Sequence, residues 1–125
     1  MSAPGVALPV RTELAKLQRG AWVEVLPGAA LTYGQQRAVE RAARIASEEA
    51  RTDAFLHARL RVLVGAWSLR TPDGQALAPP AQVTQEEFDR LQVRVAMAIH
   101  RLVAAQWNIA TAPEDDGDPN APSAP

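Results

Sequence analysis

Apolar and polar residues alternate through Trp22-Val23-Glu24-Val25-Leu26. A period of two predicts a strand, with Trp22, Glu24 and Leu26 on one face and Val23 and Val25 on the other. Pro27-Gly28 ends it. The period changes after Leu31: Thr32-Tyr33-Gly34-Gln35 has the spacing of a capping box, in which the Thr hydroxyl and the Gln side chain satisfy each other's free N–H groups. A helix is predicted from there to about Arg51, with a thin stripe of Val39, Ala42, Ala43 and Ile45 or Ala46. Thr52-Asp53 either starts a second helix or continues the first. Leu56, Leu60, Leu63, Val64 and Trp67 then recur at three and four residues, a strong stripe for a helix ending on Trp67.

Thr71-Pro72-Asp73-Gly74, between Leu69 and Ala76-Leu77, predicts a turn, because Pro fixes φ and Gly accepts a positive φ. This turn region is expected to pair with the Trp22 strand. Pro79-Pro80 follows as an extended link. Thr84-Gln85-Glu86-Glu87 is a second capping box, with Glu86, Glu87 and Asp89 at the positive end of the helix dipole. Phe88, Leu91, Val95, Ile99, Leu102 and Val103 predict one long helix to about Gln106, with Trp107 and Ile109 packing its end. The expected fold is mainly α: three principal helices with a minor β-strand or hairpin element. Residues 1–19 read as an N-terminal arm with a short helix over 12–18, residues 20–110 as the helical domain, and residues 111–125 as a disordered, acidic, proline-rich tail.

A chain of 125 residues has room for one domain with a modest core. Apolar residues make up 47%, but aromatics only 5%, and abundant Ala favours helices packed at short range over a thick sandwich. There is no cysteine, hence no disulfide or thiolate site. No apolar run approaches the roughly 20 residues that span a bilayer. With no leader pattern at the N-terminus, a cytoplasmic location is expected. The net charge of −1 is uneven: Glu114, Asp115, Asp116 and Asp118 have no cation among residues 111–125, which leaves +3 over residues 1–110. That is far from a dense basic patch, so a nucleic-acid partner is not expected. Arg37, Arg41 and Arg44 share a helix face, but Glu40, Glu48, Glu49 and Asp53 dilute the field, so a solvated face is expected.

Catalytic patterns are missing from the sequence. His57 and His100 have no nearby ligand at metal-binding spacing and read as structural or surface residues. Glu48-Glu49 and Glu86-Glu87 are adjacent on helices, where neighbours point about 100° apart, so they make no catalytic carboxylate pair. The serines lie outside any nucleophile elbow, and the glycines form no phosphate loop. No enzyme, cofactor or metal is expected. Trp22 and Trp67 read as core anchors. Trp107, between the last helix and the tail, reads as a partly exposed contact, since tryptophan is enriched at binding hot spots.

The order Trp67-Ser68-Leu69, Asp73-Gly74, Pro79-Pro80, Thr84-Gln85-Glu86-Glu87 and the Leu91-to-Val103 stripe, preceded by the Trp22 strand and Leu31-Thr32, resembles the tail assembly chaperones of long-tailed bacteriophages over about residues 20–105. The longer Pro79-Pro80-Ala81 link departs from that pattern. The resemblance implies a non-enzymatic phage or prophage protein that binds the tape measure protein, keeps its long apolar helices soluble, and helps recruit tail tube subunits. It implies the short form of a pair in which a ribosomal frameshift adds a C-terminal domain. The candidate partner-binding residues are Leu56, Leu60, Leu63, Val64, Phe88, Leu91, Val95, Ile99 and Trp107. A homo-oligomer is left open. The alternatives are a structural virion protein, such as a head–tail connector or tail completion subunit, and a small DNA-binding regulator.

Overall fold

A computed structural model describes residues 9–113. The expected tail from residue 114 onward lies outside the described residues. The order of elements is β1 (Val10–Glu13), β2 (Trp22–Val25), a 3₁₀ turn (Gly28–Ala30), α1 (Tyr33–Ile45), α2 (Arg51–Leu63), β3 (Val64–Ser68), α3 (Gln85–Phe88) and α4 (Val93–Thr111). The strands form an antiparallel sheet in the order β1-β2-β3. The expectation of a mainly α fold with a minor hairpin is therefore corrected. The described chain combines four helices with a three-stranded sheet, and is mixed α and β.

Of the other two strands, β1 is not signalled by the sequence and β3 only in part: of the turn region expected to pair with the Trp22 strand, Trp67 and Ser68 do so, opposite Val23 and Trp22. β1 reads V-R-T-E, short and polar, and merges into a stretch expected as a short helix. Thr12 and Glu13 in fact pair with Val23 and Trp22, and turns follow to Gly20, which has φ +75°. Arg11 lies opposite Glu24, binds its carboxylate at 3.2 Å and stacks over the Trp22 ring at 3.9 Å. These cross-strand contacts cover the outer face of the sheet, and Trp22 is half-buried under Arg11 rather than a core anchor.

β3 continues without a loop from α2, so the apolar run has no punctuation. Its pairing shifts register between Glu24 and Val25: Ala66 faces Glu24, Val64 faces Val25, and Gly65 is the extra residue. This bulge reverses the facing of everything before it. Val64 and Trp67, three residues apart, consequently both point into the core, at 4% and 9% exposure. A bulged strand thus reproduces the three-and-four spacing of a helix, which is why residues 64–67 read as helical.

Elsewhere the local chemistry forms as its residue types require. Thr32 Oγ1 accepts from Gln35 N at 3.1 Å, and Gln35 Oε1 accepts from Thr32 N at 2.9 Å. α1 ends at Ile45 rather than near Arg51, and Ile45 is left exposed. Of the predicted stripe only Val39 is buried, so α1 lies on α2 as an outer layer. Val23 and Val25 of β2 point inward, with Trp22 and Glu24 outward, as the alternation requires. The core lies between this sheet face, α2 and α4, around Leu60, Leu63, Val95, Ile99 and Val103.

Candidate functional site

The segment from β3 to α3 folds back on itself through side-chain hydrogen bonds. At the turn, Thr71 Oγ1 bonds to the Asp73 carboxylate and accepts from Gln75 N at 3.1 Å. Gly74 takes φ +90°, the conformation only glycine enters freely. Arg70 and Ala76 bridge across it. The Trp67 indole N–H donates to Ala78 O at 2.8 Å, tying the proline link to the sheet, and the indole stacks on Phe88 at 6.1 Å. The Thr84 hydroxyl accepts from Glu87 N at 3.1 Å, which caps the single turn of α3.

The predicted long helix is broken here. After Phe88 the chain makes tight turns, and α4 starts only at Val93. No glycine or proline marks the break, so nothing local announces it. Its consequence is a cleft of about 230 Å³ between α2, α3 and the start of α4. Leu56, Phe88, Leu91, Val93, Ala96 and Met97 give it an apolar lining, with Asp53, His57, Gln85, Asp89 and His100 around them. Val93 is 76% exposed and Met97 49%, so the apolar surface continues outward from the cleft along α4.

Both histidines of the chain meet in this cleft, although 43 residues separate them. His57 Nε2 lies 3.1 Å from Val83 O. A carbonyl can only accept, so Nε2 carries the proton and Nδ1 carries a lone pair. That Nδ1, and the Nδ1 of His100, are enclosed and have no hydrogen-bond partner among the described residues. Burial lowers the pKa of His57, with Arg61 adding to the effect and the Val83 bond and Asp89 opposing it. Burial also lowers that of His100, helped by Arg59 and His57. Phe88 packs edge-on against the His100 ring at 5.2 Å. Reading the histidines as isolated residues missed this convergence, and no spacing in the sequence signals it.

The folded state thus binds His protons more weakly than the unfolded chain, and the sign of the pH dependence follows. The stabilisation from neutral imidazoles is complete above the unfolded value of 6.5 and is lost as pH falls below it. The urea midpoint is expected to drop between pH 7.5 and 5.5, above the carboxylate range. The His57→Gln/His100→Gln double variant should flatten that slope, and an equal slope in both proteins would refute this origin.

As chemistry, the cleft is limited. Its lining offers no hydroxyl, thiol or amine nucleophile, and the histidine nitrogens that lack partners are sealed from solvent. Among the described residues no three His, Cys, Asp or Glu converge as a metal site. What the cleft does offer is apolar surface beside two carboxylates.

Most of the side chains expected to contact a partner lie elsewhere. Leu60, Leu63, Val95 and Ile99 are fully buried, and Val64 is 4% exposed. Trp107, expected as a partly exposed contact, is 8% exposed and packs edge-on against Phe55 at 5.4 Å. These six fill the chain's own core and leave no face for another molecule. Only Leu56, Phe88 and Leu91 of the nine reach the cleft, the last two as nearly buried walls. Val93 and Met97 were not singled out from sequence, because at i and i+4 they sit off the buried stripe of α4. The Arg37 and Arg44 side chains line an open hollow of about 420 Å³ with Tyr33 and Glu40, a mixed-charge surface. Among the described residues no helix is long and apolar enough to cross a membrane. No known protein family, curated protein or solved structure matches this chain.

Proposed function

We propose that this chain is a tail assembly chaperone of a long-tailed phage or prophage, a non-enzymatic protein that holds apolar helices of the tape measure protein in solution and helps bring tail tube subunits to them. The observation that carries the reading is the placement of the segment with the family-like order. Trp67, the Asp73-Gly74 turn, the proline link and the Thr84 cap are joined by hydrogen bonds and stacking, and end in Phe88, a wall of the apolar cleft. In this reading that segment supports the binding surface. The surface is the cleft with Val93 and Met97, in place of the buried stripes of α2 and α4.

Coexpression with the tape measure protein of the same phage or prophage is expected to move that protein from the insoluble to the soluble fraction. An unchanged soluble fraction would overturn the proposal. So would stoichiometric recovery of this chain in purified virions, which is the outcome for a connector or tail completion subunit.

A further inference from the structure

We infer that the cleft between α2, α3 and α4 seats an amphipathic helix of a partner protein, one that inserts apolar side chains and carries Lys or Arg along the flank of its apolar face. The inference deepens the chaperone reading and rests on it for the partner's identity, but not for the chemistry of the site.

Size argues for side chains. About 230 Å³ falls below the roughly 300–1,000 Å³ of sites that enclose small molecules. The apolar surface extends beyond the hollow through Val93 and Met97, one helical turn apart on α4. A partner helix uses that kind of surface, with apolar anchors in the hollow and others at i+3 or i+4 along it. Met97 adds an unbranched, adaptable side chain at the mouth.

Charge argues for the sign of the flank. The lining contains two carboxylates, Asp53 and Asp89, and no guanidinium or ammonium group. Neither carboxylate is in a salt bridge among the described residues: Asp89 accepts from Gln85 Nε2 at 2.8 Å, and the nearby Arg90 lies 3.8 Å from Glu86 instead. Burial holds both imidazoles neutral at neutral pH, so the lining itself carries only the two negative charges; the nearest cations, Arg61 beside His57 and Arg59 beside His100, lie outside it. A basic flank is complementary to this rim, and an acidic one is repelled.

The test uses the full chain and two synthetic 18-residue helical peptides with the same Leu/Ala face, one flanked by Lys and one by Glu. Titration calorimetry at low salt is expected to show the Lys peptide binding at least about tenfold more tightly. Asp53→Asn/Asp89→Asn should bring the two peptides together. Val93→Thr/Met97→Gln, at exposed positions that leave the fold intact, should weaken the Lys peptide about tenfold. Equal binding of both peptides, no binding, or indifference to these substitutions overturns the inference. Coexpression separates it from the broader reading. If Val93→Thr/Met97→Gln keeps the tape measure protein as soluble as the unaltered chain does, the cleft is the wrong site although the chaperone role stands. If the unaltered chain fails in coexpression while the Lys peptide binds as described, the site stands and the role falls.

Discussion

Ile99→Ala is expected to lower the unfolding free energy by about 2–5 kcal/mol, the cost of emptying a packed site that cannot fully collapse. Ile99 has no exposed surface and lies in the row Val95, Ile99, Val103 and Trp107, through which α4 meets α2 and the sheet. Against a total stability of roughly 5–15 kcal/mol for a domain, that is a large fraction. The substitution also decides between two roles for the residue. Were Ile99 a partner contact on the surface, truncation would change stability by no more than about 0.5 kcal/mol. Urea unfolding of the isolated protein reads the difference, and a midpoint close to that of the unaltered chain would contradict the packing described.

Gly28→Ala is expected to cost about 1–3 kcal/mol or more through overpacking. The 3₁₀ turn that begins at Gly28 rests directly on the last part of α4. Gly28 N donates to Gln106 Oε1 at 2.7 Å. A Cβ at this position would run into the main-chain oxygen of Gln106 and stand 3.0 Å from Ala110 N and 3.1 Å from Ile109 Cβ. Two of those three atoms are helix backbone, which cannot rotate aside as a side chain does. Restricting the unfolded chain gives Ala an opposing gain of only about 0.4–1 kcal/mol, so the collision wins. Gly34→Ala is the matched control. Its Cβ would meet nothing nearer than Thr32 Oγ1 at 3.9 Å, so the same change in α1 should be neutral or stabilising. Equal thermal midpoints for the two variants would mean that the turn and α4 do not approach so closely.

Both results bear on what a binding surface is in a chain of this size. A stripe of Leu, Val and Ile at helical spacing shows that a helix has an apolar side, but not whether that side faces its own fold or another molecule. Here the sheet takes the stripes of α2 and α4, because a third strand and a bulge turn Val64 and Trp67 toward them. A smaller apolar surface is left where α3 breaks from α4, apart from the exposed side chains of Val10, Tyr33, Ile45 and Ile109 elsewhere. Of the cleft, Leu56, Phe88 and Leu91 were legible as apolar positions; Val93, Met97 and the meeting of His57 with His100 were not.

The sequence by itself determined those features whose partners are a few residues away. These are the alternating faces of Trp22 to Val25, the capping boxes at Thr32 and Thr84, and the positive-φ turn at Gly74. Each is decided by hydrogen bonds or sterics within one turn of chain, so residue type and spacing are enough. Tertiary structure alone decided that β1 joins β2, that β3 begins as early as Val64, that Gly65 is a bulge, that α3 and α4 are separate, and that the two histidines share a cleft. Those outcomes depend on which distant segments can close on each other and exclude water together, and no local pattern carries that information.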